Sequence, residues 1–458
     1  MSHDFENIKN IFFIGIGGIG MSALARYFNT RGIKVSGYDK TETALTKKLI
    51  EEGIDIHYQD DISLLPRHID LAVYTPAIPS NHTQLVHLMN IGCPLMKRAE
   101  VLGLISKMQK TIAVAGTHGK TTTSSMVTHT LLSCNEEVSA FLGGIMSGYE
   151  TNYFLGNGEW VVVEADEFDR SFLHLMPDIT AVNSLDADHL DIYGTHDKVR
   201  DSYLTFMNKT AEGGYLLLNE SVWKELTEIE LSSLKNKYKV YSYGYEDGCD
   251  IQLQILKMGE GKVVFDYMSP FGSIQQVSLK MPGLHNVSNA SVAISVALIL
   301  GKHKDAIANA IASFKGIKRR FETIVDLDKK VYIDDYAHHP TELKMAIQAA
   351  KMMYPGKKVL GIFQPHLFTR TRDFLEDFAK ELSQLDEIVL MEIYPARELP
   401  IEGITSELLL SKIENTNKSL LDEEAILSKI VEKNFDVVMT LGAGNIDLLV
   451  PKIKALLT

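Results

Sequence analysis

The sequence predicts an α/β protein of three domains, each built on a largely parallel sheet. Three observations carry this. β-rich apolar runs alternate with helical patterns from end to end, the pattern of strand–crossover–strand units. The alternation restarts twice on a fresh strand, giving three series. The length, 458 residues, divided by about 150 residues per domain gives three.

Within the first series, residues 10–16, 33–38 and 70–75 read as buried strands, with a helix starting at about Ile19. The second series begins at 111–115 and continues through 160–165, 179–183 and 215–219. The third follows at 330–334, 358–363, 387–394 and 435–441. One boundary falls near Gln109, where a helical stretch gives way to a strand. Another falls near 315–319, after a helix at 286–300 and a short Ala-rich helix. The domains are therefore expected at 1–109, 110–318 and 319–458. Residues 240–277 alternate Val, Tyr, Ile and Phe with few helix signals, and suggest a small antiparallel excursion inside the middle domain.

Composition narrows the function classes. Hydrophobic residues make up 45% and charged residues 23%, with mean hydropathy −0.01, values of an ordinary globular protein. The 46 basic and 59 acidic side chains leave a net charge of −13. A generic grip on nucleic acid or anionic membrane needs a basic surface, so neither partner is expected. Three scattered cysteines with no CxxC spacing argue against a disulfide framework or structural zinc. The start lacks the basic and apolar segments of a signal peptide, and the longest apolar run is too short to span a bilayer. A cytoplasmic location is expected.

Two strand–loop–helix junctions carry chemistry. Gly15-Ile-Gly17-Gly18-Ile-Gly20 follows a strand and opens a helix, the GxGxxG arrangement. Its glycines allow a tight turn and close phosphate approach, while the helix N-terminus offers N–H groups to an anion. Asp39 ends the next strand, where an acceptor for a ribose hydroxyl is expected. This marks the first domain as Rossmann-like, yet it does not say which nucleotide; a turn that only packs helix on strand is the plain alternative. The second junction, Gly116-Thr117-His118-Gly119-Lys120-Thr121-Thr122, again runs from strand to helix. Its backbone N–H groups would cradle phosphates, Lys120 neutralise them and a following hydroxyl reach Mg²⁺. Only two residues separate Gly116 from Gly119, so it is a shortened form of the general P-loop.

Carboxylates leave the next two strands: Glu164-Ala-Asp166-Glu167-Phe-Asp169, then Asp186-Ala-Asp188-His189-Leu-Asp191. Carboxyl ends of parallel strands are where such sheets bind ligands, and hard oxygens suit Mg²⁺. A solvated acidic loop is the bland reading of either cluster alone, and His189 reads equally as a hydrogen-bonding neighbour. The acid excess is concentrated here, with ten acids against three bases across residues 164–201. Three further strings stand out. Gly283-Leu-His285-Asn286-Val-Ser-Asn289 opens a helix with amides that can cap it or read a base. Lys318-Arg319-Arg320-Phe-Glu322 is a basic cluster at a junction, suited to phosphate capture or merely to a solvated linker. Asp334-Asp335-Tyr336-Ala-His338-His339-Pro340-Thr-Glu342 sits at a strand exit. Its adjacent histidines point opposite ways on an extended chain, a poor pair of metal ligands.

Taken together, and with Phe363-Gln-Pro-His-Leu-Phe-Thr-Arg-Thr-Arg372, these strings resemble the Mur ligases over essentially the whole chain. The resemblance is strongest to the members that join L-alanine to UDP-N-acetylmuramate using ATP. It implies that the Gly15–Gly20 loop, with Gly17, Gly18 and Asp39, binds the UDP-sugar rather than NAD. It implies that Lys120 contacts the ATP phosphates, that Thr121 and Glu164 hold Mg²⁺, and that His189 helps hold a second Mg²⁺ or the substrate carboxylate. Asn286, with His285 nearby, would lie against adenine, and Arg320 and Asp335 would bring the last domain to ATP. Arg370 would bind the alanine carboxylate, with Tyr336 and His338 beside it.

Two departures weaken parts of the pattern. Some relatives carry a carbamylated lysine where this chain reads Ser202-Tyr203-Leu204, so none is expected here. Some alanine-adding members have arginine where this chain has Leu367, which would shift amino-acid selection onto Arg370 and its neighbours. The competing readings are a sister ligase that attaches a recycled tripeptide, an NAD-dependent dehydrogenase built on Gly15–Gly20 and Asp39, and a non-catalytic nucleotide sensor. A monomer or weak homodimer is expected.

Overall fold

The computed structural model describes residues 5–186, 193, 195–259, 262–327, 330–396, 398–432 and 435–458. The chain forms two compact units: Met1–Gln254 with Asp266–Val277 and Val287–Ala312, and Ile255–Phe265 with Ser278–Asn286 and Ser313–Thr458. The three sheets are α/β in character, as the alternation predicts.

The amino-terminal sheet contains β1 (Asn10–Ile14), β2 (Lys34–Tyr38), β3 (Asp55–His57), β4 (Leu71–Tyr74) and β5 (Leu95–Lys97), in the order β3-β2-β1-β4-β5. Every pair is parallel. The apolar run Ile11–Phe12–Phe13–Ile14 is buried throughout, as expected of a central strand covered on both faces. β1 neighbours both β2 and β4, so its carboxyl end lies at the point where the strand order reverses. An open parallel sheet forms its crevice there. The strand ends two residues before the expected Ile16, because Gly15 adopts φ +85° and turns the chain into the helix Ile19–Thr30.

The central sheet adds β6 (Lys110–Ala115), β7 (Ser139–Met146), β8 (Thr151–Phe154), β9 (Trp160–Glu164), β10 (Ile179–Val182), β11 (Tyr215–Asn219) and β12 (Lys239–Gly244), followed by β13 (Ile251–Gly259), β14 (Lys262–Ser269) and β15 (Gly272–Leu279). Its order is β15-β14-β13-β12-β11-β10-β6-β9-β7-β8. β6 lies between β9 and β10, parallel to both, so its carboxyl end is a second switch point. The β7–β8 hairpin is antiparallel. The antiparallel excursion expected within residues 240–277 is found in β13, β14 and β15, which follow one another in the sheet with two residues between successive strands, a spacing that only antiparallel pairing allows. β12 pairs parallel with β11 and with the start of β13, and the segment extends the central sheet. Sheet extension of this kind depends on edge pairing, which the alternating pattern does not encode.

The first two sheets share one core. Tyr27 packs its ring 5.5 Å from Phe141 and 6.3 Å from Tyr153. Beside it the buried Arg26 donates to Asn152 Oδ1 at 2.5 Å and pairs with Glu52 at 2.7 Å, so the charge is compensated where it is desolvated. The expected junction at Gln109 thus separates two sheets inside one packing unit.

The second unit holds β16 (Glu322–Leu327), β17 (Lys330–Asp335), β18 (Val359–Phe363), β19 (Glu387–Leu390), β20 (Lys418–Leu420) and β21 (Val437–Leu441), in the order β16-β17-β21-β18-β19-β20. β16 and β17 are antiparallel and the remaining pairs parallel. The helix Pro340–Met353 buries Leu343, Ala346, Ile347 and Ala350 on one stripe against this sheet, the spacing of an amphipathic helix. β19 stops at Leu390, short of the expected residue 394. Among the described residues no helix is long and apolar enough to cross a membrane.

Candidate functional site

Gly116 follows β6 with φ +134° and Gly119 has φ +78°, conformations that L side chains rarely adopt. Space excludes side chains as well: a Cβ on Gly119 would meet Asn289 Oδ1 at 2.8 Å and Asn183 Nδ2 at 3.0 Å. The turn lets the helix Lys120–Ser133 start directly beneath the loop, with Gly119 as its N-cap. The first-turn N–H groups, including those of Thr121 and Thr122, then point toward an incoming anion. Ser184, after β10, braces the loop from the side. Its Oγ lies 2.7 Å from Thr117 Oγ1 and accepts the His118 N–H at 2.9 Å. His118 Nε2 is 3.6 Å from Asp186 Oδ2.

Lys120 arches over this loop. Its Nζ donates to Gly116 O at 2.7 Å and pairs with both carboxylate oxygens of Glu167, at 2.8 and 2.7 Å. The Thr121 hydroxyl donates to Glu164 Oε1 at 3.0 Å, while the Gly143 N–H donates to Oε2 at 2.9 Å. Burial pushes the Glu164 and Glu167 carboxyls above their ordinary range, and Lys120 opposes that shift in both. Two buried acids that share one ammonium, each raised further by the Asp166 charge, make a place where an additional cation is electrostatically welcome. Thr121 and Glu164 supply two hard oxygens, which fits Mg²⁺ completed by phosphate oxygens and water. Among the described residues no group of three or more His, Cys, Asp or Glu gathers as a metal site. His189, like Asp188 and Asp191, lies outside the described residues.

Around Gly15–Gly20 the fit is equally tight. Asp39 Oδ2 accepts the Gly17 N–H at 2.7 Å and Oδ1 accepts from Thr41 N at 3.1 Å, so Asp39 holds the loop's shape. A Cβ on Gly17 would lie 2.8 Å from Asp39 Oδ2, and one on Gly20 would lie 2.9 Å from Arg98 Nη1. Gly18 caps the helix Ile19–Thr30. Arg98 Nη2 donates to Asp166 Oδ2 at 3.1 Å, and Lys97 Nζ donates to Asp169 Oδ2 at 2.9 Å. A cavity of about 390 Å³ runs between Gly18, Gly20, Arg98, Gly143, Glu164 and His174. It joins the glycine loop of the first sheet to the acidic strand exit of the second.

In the second unit, Asp335 ends β17 and accepts the N–H groups of Phe321 at 2.6 Å and Ala337 at 2.7 Å. Burial raises it to about 6, against the pull of Arg320. The Tyr336 ring lies 5.0 Å from the Arg319 guanidinium and 5.8 Å from that of Arg320. His338 packs 5.2 Å from Tyr336 and 6.0 Å from His366, and Arg370 Nη1 lies 3.4 Å from His366 Nδ1. Burial, with His338 and Arg370 adding to it, pushes His366 down to about 4, so it faces Arg370 neutral. Asn286 is buried and donates to Pro282 O at 2.6 Å; His285 packs on Gly283. Leu367 has φ +74° at the start of the helix Phe368–Asp373. Tyr203, in the Ser202-Tyr203-Leu204 stretch, is fully buried with its ring 5.1 Å from Phe172.

The structure thus brings Gly116, Thr117, His118, Gly119, Lys120 and Thr121 together with Glu164, and gathers Arg320, Asp335, Tyr336, His338 and Arg370 in the other unit. Sequence reasoning missed Arg98, Gly143, Ser184 and His366 as site residues. Arg98 lacked a motif of its own, and Gly143 sits in a strand that the alternation did not reveal. His366 lies in the Phe363–Arg372 stretch, where Arg370 is the available signal.

Three family models match the chain: the Mur ligase family catalytic domain at 10–110, the Mur ligase middle domain at 114–297 and the Mur ligase glutamate ligase domain at 319–444. The UDP-N-acetylmuramate–L-alanine ligase of Flavobacterium johnsoniae is 49% identical over 99% of both chains. That of Cytophaga hutchinsonii is 46% identical over 99% of this chain and 98% of its own. The crystal structure of the UDP-N-acetylmuramate–alanine ligase from Thermotoga maritima superposes with a TM-score of 0.81 at 27% identity, covering 97% of this chain and 98% of that one. A murein peptide ligase from Psychrobacter arcticus shares the fold, with a TM-score of 0.70 at 22% identity. Family membership sets aside the dehydrogenase reading of Gly15–Gly20. The chain belongs to the Mur ligase family.

Proposed function

We propose that the chain joins the amine of L-alanine to the lactyl carboxylate of UDP-N-acetylmuramate, consuming ATP and releasing ADP and phosphate. The observation that carries this is the cavity linking Gly18 and Gly20 to Glu164. A nucleotide sugar whose diphosphate lies on the Gly15–Gly20 helix terminus would reach with its sugar end toward the phosphate loop. The near-full-length likeness to ligases of that name supports the choice of substrates.

A carboxylate is a poor electrophile, so it must first be phosphorylated. The Gly116–Thr122 backbone would hold the ATP phosphates in line, with Lys120 compensating charge on the phosphoryl group in transit. Bound at Thr121 and Glu164, Mg²⁺ would neutralise phosphate charge and favour transfer. Arg98 sits where it can orient the sugar nucleotide, and Gly143 leaves room for the Glu164 carboxylate. Arg370, beside a neutral His366, offers a guanidinium for the alanine carboxylate, with Tyr336 and His338 enclosing it. Arg320, Asp335, His285 and Asn286 are assigned to the ATP side. The three sheets then divide the work into nucleotide sugar, ATP and amino acid, over 1–109, 110–318 and 319–458. The enzyme would act in the cytoplasm as a monomer or weak homodimer.

The deciding experiment is ADP release measured with each substrate omitted in turn. Joint dependence on UDP-N-acetylmuramate and L-alanine is expected; stimulation by neither overturns the reading. A competition of L-alanine against tripeptide separates it from the sister ligase, since turnover with tripeptide alone would reassign the enzyme.

A further inference from the structure

The phosphate-loop lysine is already bound by the protein. Lys120 Nζ is engaged by Gly116 O at 2.7 Å, by Thr117 O at 3.4 Å and by both oxygens of Glu167. Glu167 is only 2% exposed, so this is a desolvated pair in which each charge depends on the other. Its position is tightly determined. Glu167 follows β9 by three residues, and its carbonyl accepts the Arg170 N–H at 2.9 Å and the Tyr193 hydroxyl at 2.6 Å. The turn that allows this holds two successive non-glycine residues in the left-handed region, Asp169 at φ 52° and Arg170 at φ 56°. Such strain persists only where surrounding structure over-determines it.

A nucleotide entering the Gly116–Gly119 loop needs the same ammonium. It must draw Lys120 from Glu167, and the carboxylate left behind has the same sign as the phosphates. We infer that Glu167 is a positioning residue that holds Lys120 before nucleotide binds and competes with nucleotide phosphates for it. The competition weakens binding of both nucleotides and returns the ammonium to Glu167 as ADP leaves. The inference rests on the ATP-site reading of this loop.

The test is titration calorimetry of ADP with Mg²⁺ against the full chain. Glu167→Gln keeps the shape but removes the competing charge, and ADP is expected to bind about tenfold more tightly, the scale of a partly desolvated charge interaction. A merely structural role would weaken binding or leave it unchanged. Glu167→Asp keeps the charge but withdraws it by one methylene, and is expected to tighten ADP by a smaller factor; it serves if the glutamine variant fails to fold. In a Lys120→Met background, Glu167→Gln should lose most of its tightening, because the effect acts through the ammonium. Variants that fold and bind ADP no more tightly than the parent chain overturn this inference alone. A parent chain that binds no ADP overturns the nucleotide-site reading with it.

Discussion

The Thr121 hydroxyl donates to Glu164 Oε1 at 3.0 Å, joining the first turn of one helix to the end of a strand 43 residues further along the chain. Neither group is at the end of its own motif by chance. β6 and β9 run parallel and adjacent, so the loop leaving one and the acid ending the other emerge on the same side of the sheet.

The other oxygen of Glu164 depends on Gly143, whose N–H it accepts at 2.9 Å; a Cβ there would overlap the carboxylate. Gly143→Ala is therefore expected to lower kcat by about tenfold or more through displacement of that carboxylate. The Mg²⁺ concentration for half-maximal rate should rise in parallel. Steady-state rates across a Mg²⁺ titration check both.

Lys120→Ala removes the only cation that the loop itself supplies. Turnover is expected to fall by about a hundredfold to a thousandfold, the loss typical of removing one group that stabilises charge in transit. Because the residue is at a helix start and alanine is a good helix former, the circular dichroism spectrum should be unchanged, although loss of the buried pair with Glu167 lowers stability. Near-normal ADP release would contradict the proposed role.

Arg98 fills the space left by Gly20 and faces the Gly18–Gly20 end of the cavity, which is proposed to take the nucleotide sugar. Arg98→Ala should raise the KM for UDP-N-acetylmuramate by about tenfold, as loss of a charge-assisted contact does, and leave the KM for ATP within about twofold. An equal rise in both constants would place Arg98 outside the sugar-nucleotide site.

His366 supplies a pH dependence. Its folded value, about 4, lies below the ordinary 6.5, with burial as the main cause. The folded state therefore prefers the neutral ring, and this contribution is present above pH 6.5 and lost as pH falls from there toward 4. Partial exposure limits it to the order of 1–2 kcal/mol. Thermal unfolding of the parent chain should lose more stability from pH 7 to pH 5 than unfolding of His366→Gln. Parallel losses would show that the ring is not held neutral.

Much of the framework of the candidate site is legible in the residues alone. Gly15–Gly20 and Gly116–Thr122 are local devices, since a positive φ, a close backbone approach and a helix start are all specified within a few residues. The strands that precede them announce themselves because both faces are covered, leaving continuous apolar runs. β7 and β8 give no such run, because Gly143 and Gly144 interrupt the one and Thr151-Asn152-Tyr153-Phe154 is short and half polar. The alternation in residues 240–277 signals the antiparallel strands found there, but the parallel pairing of β12 with β11 is not legible, since pairing partners are not written in a strand's own pattern.

The sequence by itself determined the three α/β series, the two glycine loops and the acids that leave the strands, because each follows from short-range propensity and periodicity. Only the tertiary structure decided that Glu167 and not solvent receives Lys120, that Gly20 makes room for Arg98, and that Tyr27 and Phe141 unite two sheets in one core. Those contacts join residues tens to over a hundred positions apart. Their geometry depends on strand order, which is settled by the packing of the whole unit and not by any one segment.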